Sequence, residues 1–291
     1  MLSGNLLWVL MGTMLLGIAA GITGTFSFLQ KQSLVGDAAA HAALPGIALA
    51  FLITGQKELP ILMLGAALTS ALSVYCIQWI VTYSKLKADA AIGLVLAVFF
   101  GIGIVLLTIV NRSPLGNQSG LNDFIFGKAA TMTKADLTWL FISAAIIIIV
   151  SLLLYKEWKL MIFDPVYAKG IGLPIEALKA CLTALIVMTI VTGIQAVGVI
   201  LMSALLIIPA ASAKLWTKKL HTMLMFSGIT GGIAGLAGTF ISSLRTGLST
   251  GPIIVLFAAT IFFISYLFSP KAGQLSKYIR KVKFRKQEKL S

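Results

Sequence analysis

Nine largely uncharged apolar stretches follow one another along this chain, at residues 6–28, 36–53, 59–82, 88–110, 137–155, 176–194, 197–213, 221–244 and 252–268. A helix rises about 1.5 Å per residue, so roughly 20 residues cross a hydrocarbon core of about 30 Å. In lipid every backbone polar group must be satisfied within its own segment, which makes helix the default. The pattern therefore predicts an all-α polytopic membrane protein with about nine transmembrane helices. A transmembrane barrel would alternate apolar and polar residues in short segments, and this chain does not. The composition agrees: 58% hydrophobic, 11% charged and a mean hydropathy of +0.99. The first stretch has no positive charge before it and is too long for the apolar part of a signal peptide, so it reads as a true span.

The net charge of +14 suggests nucleic acid, but its distribution does not. Eight of the 23 basic residues lie at 271–289, directly after the last apolar stretch. Membrane orientation and attraction to anionic lipid explain such a tail, and no nucleic-acid motif accompanies it. If the tail is inside, nine spans put the N-terminus outside. The inner side then holds Lys31, Lys85, Lys87, Lys156, Lys159, Lys169, Lys179, Lys214, Lys218 and Lys219 besides the tail. The outer side holds Lys57, Arg112, Lys128, Lys134 and Arg245. This asymmetry supports an outer N-terminus and an inner C-terminus. The domain reading is a transmembrane unit over 1–268 and a basic cytoplasmic tail over 269–291. Cys76 and Cys181 lie inside separate apolar stretches and imply neither a disulfide framework nor metal spacing.

Two connections exceed simple turns. The outer one, 111–136, carries an amphipathic patch at 121–126 that suits either a short surface helix with a docking role or an ordered loop. The inner one reads Phe163-Asp-Pro-Val-Tyr-Ala-Lys-Gly-Ile-Gly-Leu-Pro174. Asp164 suits an N-cap and Pro165 a first helical position. Gly170 and Gly172 can end the helix after about two turns, and Pro174 with Glu176 suits the start of the next span. A short helix between two membrane helices can pass a push from a soluble partner into the membrane; it can equally be a plain connector. Gly17 and Gly21 share a face, as do Gly228 with Gly232, and Gly231 with Gly235 and Gly238. Small residues at this spacing let membrane helices approach closely.

The chemical clue is Asp37 and His41, four residues apart in the second stretch and so on one helix face. Ionisable groups inside a membrane are expensive and are functional candidates by default. A carboxylate beside an imidazole is half a site for a borderline or hard divalent ion such as manganese, iron or zinc. Pro45 continues the stripe and, lacking an N–H, frees the carbonyl of His41. Two side chains are too few for a tight site, and a two-fold dimer would supply a second pair. The competing reading has Asp37 capping the helix and His41 hydrogen-bonded to a neighbour. The charge count puts the pair near the inner end, unless the linker at 30–33 dips into the protein. Gln195, Met202 and Ser203 could border a pathway, with packing the competing role for the last two. Asp89 suits a helix start and His221 an interfacial position.

The stretch Gly36-Asp-Ala-Ala-Ala-His-Ala-Ala-Leu-Pro-Gly46 resembles the signature of the permease subunits of manganese-, zinc- and iron-type ABC importers. The likeness continues in Asp89-Ala-Ala-Ile-Gly93, Phe124-Ile-Phe-Gly127, Asp164-Pro-Val-Tyr-Ala168 with Gly172, and Leu205-Leu-Ile-Ile-Pro-Ala-Ala211. It implies a type II ABC importer permease fold, working as a pair with a second copy or a related chain, multi-pass in a bacterial plasma membrane. It implies a separate ABC ATPase subunit that uses ATP and couples through a cytoplasmic helix matching Asp164, Pro165, Tyr167, Ala168, Lys169, Gly170 and Gly172. It also implies an extracellular solute-binding protein that delivers the ion, and an intramembrane metal site at Asp37 and His41 below an outer gate. The chain has no Gly-x-x-x-x-Gly-Lys-Ser/Thr loop and so is not its own motor. The resemblance further implies an additional histidine in the fourth span of zinc-type members. Val98-Phe-Phe-Gly101 stands there without one, which leans to manganese and leaves zinc and iron(II) open. Two other readings compete: a gradient-driven cation carrier, and a permease of the same superfold for an iron chelate or vitamin. No clear internal repeat supports the carrier.

Overall fold

The computed structural model describes residues 4–56, 58–112, 127, 132–244, 248–270 and 273–274, with the side chains of 4, 5, 195, 200 and 201 left aside. The patch at 121–126 and the basic tail beyond 274 therefore lie outside the described residues. Among these residues there are eleven helices and no strand: α1 (Gly4–Leu29), α2 (Ser33–Thr54), α3 (Leu59–Tyr83), α4 (Ala88–Arg112), α5 (Lys134–Leu153), α6 (Tyr155–Phe163), α7 (Pro165–Gly170), α8 (Ile175–Val197), α9 (Val199–Trp216), α10 (Leu220–Ser243) and α11 (Thr250–Phe268). Eight of them are long and apolar enough to cross a membrane. The remaining expected segment, 197–213, corresponds to α9, a shorter apolar helix.

Several helices begin earlier than the apolar pattern suggests, each for a local reason. α5 starts at Lys134 because Thr133 and Asp136 form a reciprocal capping box: Asp136 N donates to Thr133 Oγ1 at 3.3 Å and Thr133 N to Asp136 Oδ2 at 2.9 Å. α2 starts at Ser33 because the link from α1 is a closed turn. Gln32 N donates to Ser27 O at 3.0 Å, Ser27 Oγ to Gln32 O at 3.2 Å, and Lys31 takes a positive φ of 60°. Asp37 is thus inside the second turn of α2, and its capping role is ruled out by position.

The inner connection holds two helices. α7 has Asp164 as its N-cap, accepting from Tyr167 N at 3.0 Å, and Pro165 at its first position. It ends with Leu173 N donating to Ala168 O and Gly172 N to Lys169 O, both at 3.1 Å, while Gly172 has φ +83°. That is the paired C-terminal closure glycine favours, because a Cβ strains a left-handed backbone. α6 begins where the apolar stretch 137–155 ends. Its signal is Trp158 and Met161, three apart and buried, among Lys156, Glu157 and Lys159.

The bundle is densest where small residues meet. At the α1–α10 crossing a Cβ on Gly17 would strike the carbonyl of Gly231, and one on Gly231 would strike that of Gly17. Ser227 Oγ donates to Gly21 O at 2.7 Å and Thr239 Oγ1 to Thr13 Oγ1 at 3.0 Å. Gly46 and Gly65 meet in the same reciprocal way between α2 and α3. Lipid supplies no hydrophobic drive between helices, so close backbone contact and interhelical hydrogen bonds do the holding. α2 is the central element: 67% of its apolar window is buried, against 22% for α4 and for α11.

Candidate metal site

α2 carries the pair between α3, α4 and α9. His41 Nε2 stands 3.6 Å from Asp37 Oδ1, with the two side chains 15% and 31% exposed. That gap is too long for a good hydrogen bond. It suits a shared ion: with ligand distances of about 2.0–2.2 Å, two atoms so spaced subtend roughly 110–130° at a metal between them. The imidazole packs edge-on against Phe100 of α4, ring centroids 4.9 Å apart. Its Nδ1 is buried without a hydrogen-bond partner. The pair therefore spends little of its polarity on the protein. Among the described residues no third His, Cys, Asp or Glu joins it.

The depth of the pair follows from its neighbours. Ser70 Oγ, half-way along α3, donates to Ala39 O at 2.7 Å. Phe100 is half-way along α4. The space beside Gly36 is bounded by Leu206, near the middle of α9. At 1.5 Å per residue, α3 and α4 run roughly 6–10 Å past the start of α2. The turn at 30–32 thus sits inside the length of its neighbours, and the pair lies near mid-bundle although Asp37 is only about one turn into its helix.

The other expected lining residues fare differently. Pro45 is buried, its ring against Gly103 of α4; what it offers is the carbonyl it frees at His41. Met202 and Ser203 are buried, and Met202 fills the space beside Gly193. The side chain of Gln195 lies outside the described residues. A large groove of about 1160 Å³ runs between α3, α5 and α8, lined by Leu64, Leu68, Tyr75, Trp139 and Ala184 among others, and touches neither Asp37 nor His41. Phe100 and Ser70, which hold the pair's helix, were not singled out from sequence. The motif Val98-Phe-Phe-Gly101 at the centre of α4 was the available signal for Phe100.

A multi-pass helical bundle that holds a carboxylate and an imidazole side by side at mid-depth has the construction of a membrane transport protein. The chain belongs to the ABC 3 transport family, which matches residues 3–269. It is 48% identical over 283 residues to the manganese transport system membrane protein MntC of Bacillus subtilis, covering 97% of this chain and 65% of that protein. It is 42% identical over 273 residues to the zinc transport system membrane protein TroC of Treponema pallidum, covering 94% and 92%. Among solved structures it resembles PsaBC from Streptococcus pneumoniae in complex with Fab, with a TM-score of 0.83, 32% identity, and coverage of 96% of this chain and 95% of that one.

Proposed function

We propose that this chain is the transmembrane permease of an ATP-driven importer of divalent metal ions, with manganese the foremost substrate. The observation that carries the reading is the pair Asp37 and His41, 3.6 Å apart and short of ligands, at mid-bundle in a member of a transport family. The names of the manganese and zinc relatives support the substrate class. The pair alone is a loose site, and loose coordination suits an ion that must leave. A second copy, or a related chain, facing this one across the α2–α4 side would bring a second carboxylate and imidazole. α4 offers the exposed apolar stripe Leu94, Val98, Ile102, Val105 and Ile109 for that contact.

In this reading the basic residues place the N-terminus outside and the tail 269–291 against anionic lipid on the inner side. An external binding protein hands over the ion. A separate ATPase docks on α7, where Val166, Tyr167 and Ile171 are exposed and Asp164, Pro165, Ala168, Lys169, Gly170 and Gly172 shape the helix. The chain itself is then no enzyme.

The deciding experiment is uptake into proteoliposomes holding the permease with its ATPase and binding protein, comparing manganese, zinc and iron(II). ATP-dependent uptake led by manganese is expected. Uptake that persists without the ATPase would point instead to a gradient-driven carrier. For α7, replacing residues 167–170 by a Gly-Ser run should leave ATP hydrolysis running while uptake stops; unchanged uptake per ATP would refute the docking role.

A further inference from the structure

Between α7 and Asp37 one side chain stands out that no motif contains. Trp158, in the middle of α6, is fully buried. Its indole Nε1 donates to the carbonyl of Leu178 in α8 at 3.2 Å. Its ring meets Phe26 of α1 near edge-on, centroids 5.0 Å apart at 66°. Phe26 is itself fully buried. A polar indole placed entirely inside a bundle and bonded to a backbone carbonyl of another helix locks three elements together.

Each neighbouring joint is short. Asp164 ends α6, with its N–H on Leu160 O at 2.8 Å, and starts α7 through its carboxylate on Tyr167 N at 3.0 Å. The two helices therefore share one residue and form a stiff elbow. On the other side, Phe26 precedes Ser27, whose hydroxyl and carbonyl close the turn onto Gln32. α2 begins at the next residue, and Asp37 follows five residues after Gln32, roughly 7.5 Å along the helix. The principal neighbours of α7 are α6 and α8, so a displacement of α7 reaches α2 through one of them.

We propose that Trp158 is the mechanical joint of the transporter: it passes movement of the α6–α7 elbow to Phe26 and the α1–α2 turn, and thereby to Asp37 and His41. This rests on the reading that an ATPase acts on α7. The residue acts through others and touches no ion, so it is a positioning residue. Spatial continuity alone does not establish coupling; the ratio of two rates does.

The test uses the complete transporter in proteoliposomes, measuring manganese uptake and ATP hydrolysis on the same preparation. Trp158→Leu should keep ATP hydrolysis near the wild-type rate and lower manganese taken up per ATP by about 2- to 30-fold, the range that coupling-network substitutions reach. Trp158→Phe keeps a ring for Phe26 but loses the bond to Leu178, and should fall between Leu and wild type. A purely structural role would lower both rates together and leave the ratio unchanged. An unchanged ratio, with or without loss of total activity, overturns the proposal and assigns transmission to α8 alone. Failure of the wild-type complex to take up metal with ATP would instead overturn the transport reading itself.

Discussion

Asp37→Ala and His41→Ala, each alone, are expected to lower metal uptake by at least 100-fold while the protein still inserts and assembles. Losing the outer-shell partner of a metal ligand already costs about 10- to 100-fold in affinity or activity. Here the group removed is itself one of the two candidate side-chain ligands brought together among the described residues. In a symmetric pair each substitution would remove two ligands at once. Folding should survive, because neither side chain makes a strong polar contact within the bundle: the two are 3.6 Å apart, His41 Nδ1 has no partner, and the Phe100 ring contact of His41 is a single apolar one. Alanine also removes a carboxylate that costs about 2.5–3.5 kcal/mol at a helix centre on insertion scales, so insertion should not suffer. Asp37→Asn separates charge from shape and should be nearly as damaging. Wild-type uptake rates in these variants, with the protein at normal levels, would remove the pair from the pathway. Binding of manganese to the purified permease, followed by isothermal titration, should fall in parallel.

Gly17→Leu and Gly231→Leu are each expected to destabilise the bundle severely. Each glycine has the other's carbonyl where its Cβ would stand. Backbone on both sides leaves nothing flexible to move, so the helices must separate. Overpacking a core usually costs about 1–3 kcal/mol and occasionally more. This crossing belongs at the upper end, because separation also stretches the bonds from Ser227 to Gly21 and from Thr239 to Thr13. Against a typical net stability of about 5–15 kcal/mol, one such change is severe. Gly93→Ala is the control: nothing lies within 4 Å of a Cβ there, and alanine is the better helix former. Size-exclusion profiles and thermal stability in detergent should show aggregation for the first two variants and an unchanged or slightly raised midpoint for the control. A well-folded Gly17→Leu protein would refute the close crossing.

The elements most readable from sequence were those whose cause is local. Apolar runs of membrane length announce helices because lipid leaves the backbone no other partner. Asp164, Pro165 and Gly172 announce the start and stop of α7 because capping and left-handed closure are settled within a few residues. The glycine stripes showed that helices approach closely, yet not which ones. That Gly17 and Gly21 meet Gly231 and Ser227, or that Gly46 meets Gly65, joins positions far apart in the chain. α6 escaped because nine residues with three charges look like an ordinary connector; only the burial of Trp158 against α1 and α8 gives it a fixed place.

The pair itself divides the same way. Sequence alone determined that Asp37 and His41 share a helix face, since spacing by four is a property of the helix. It also determined that Pro45 frees the carbonyl of His41, since a missing N–H is a property of proline. Depth was decided by the tertiary structure. Counting charges along the chain put the pair near one end, because counting assumes that every helix starts at the membrane surface. α2 does not: its turn is drawn inside the bundle, Ser70, Phe100 and Leu206 meet it at their own mid-lengths, and a residue one turn from a helix start comes to lie at the centre.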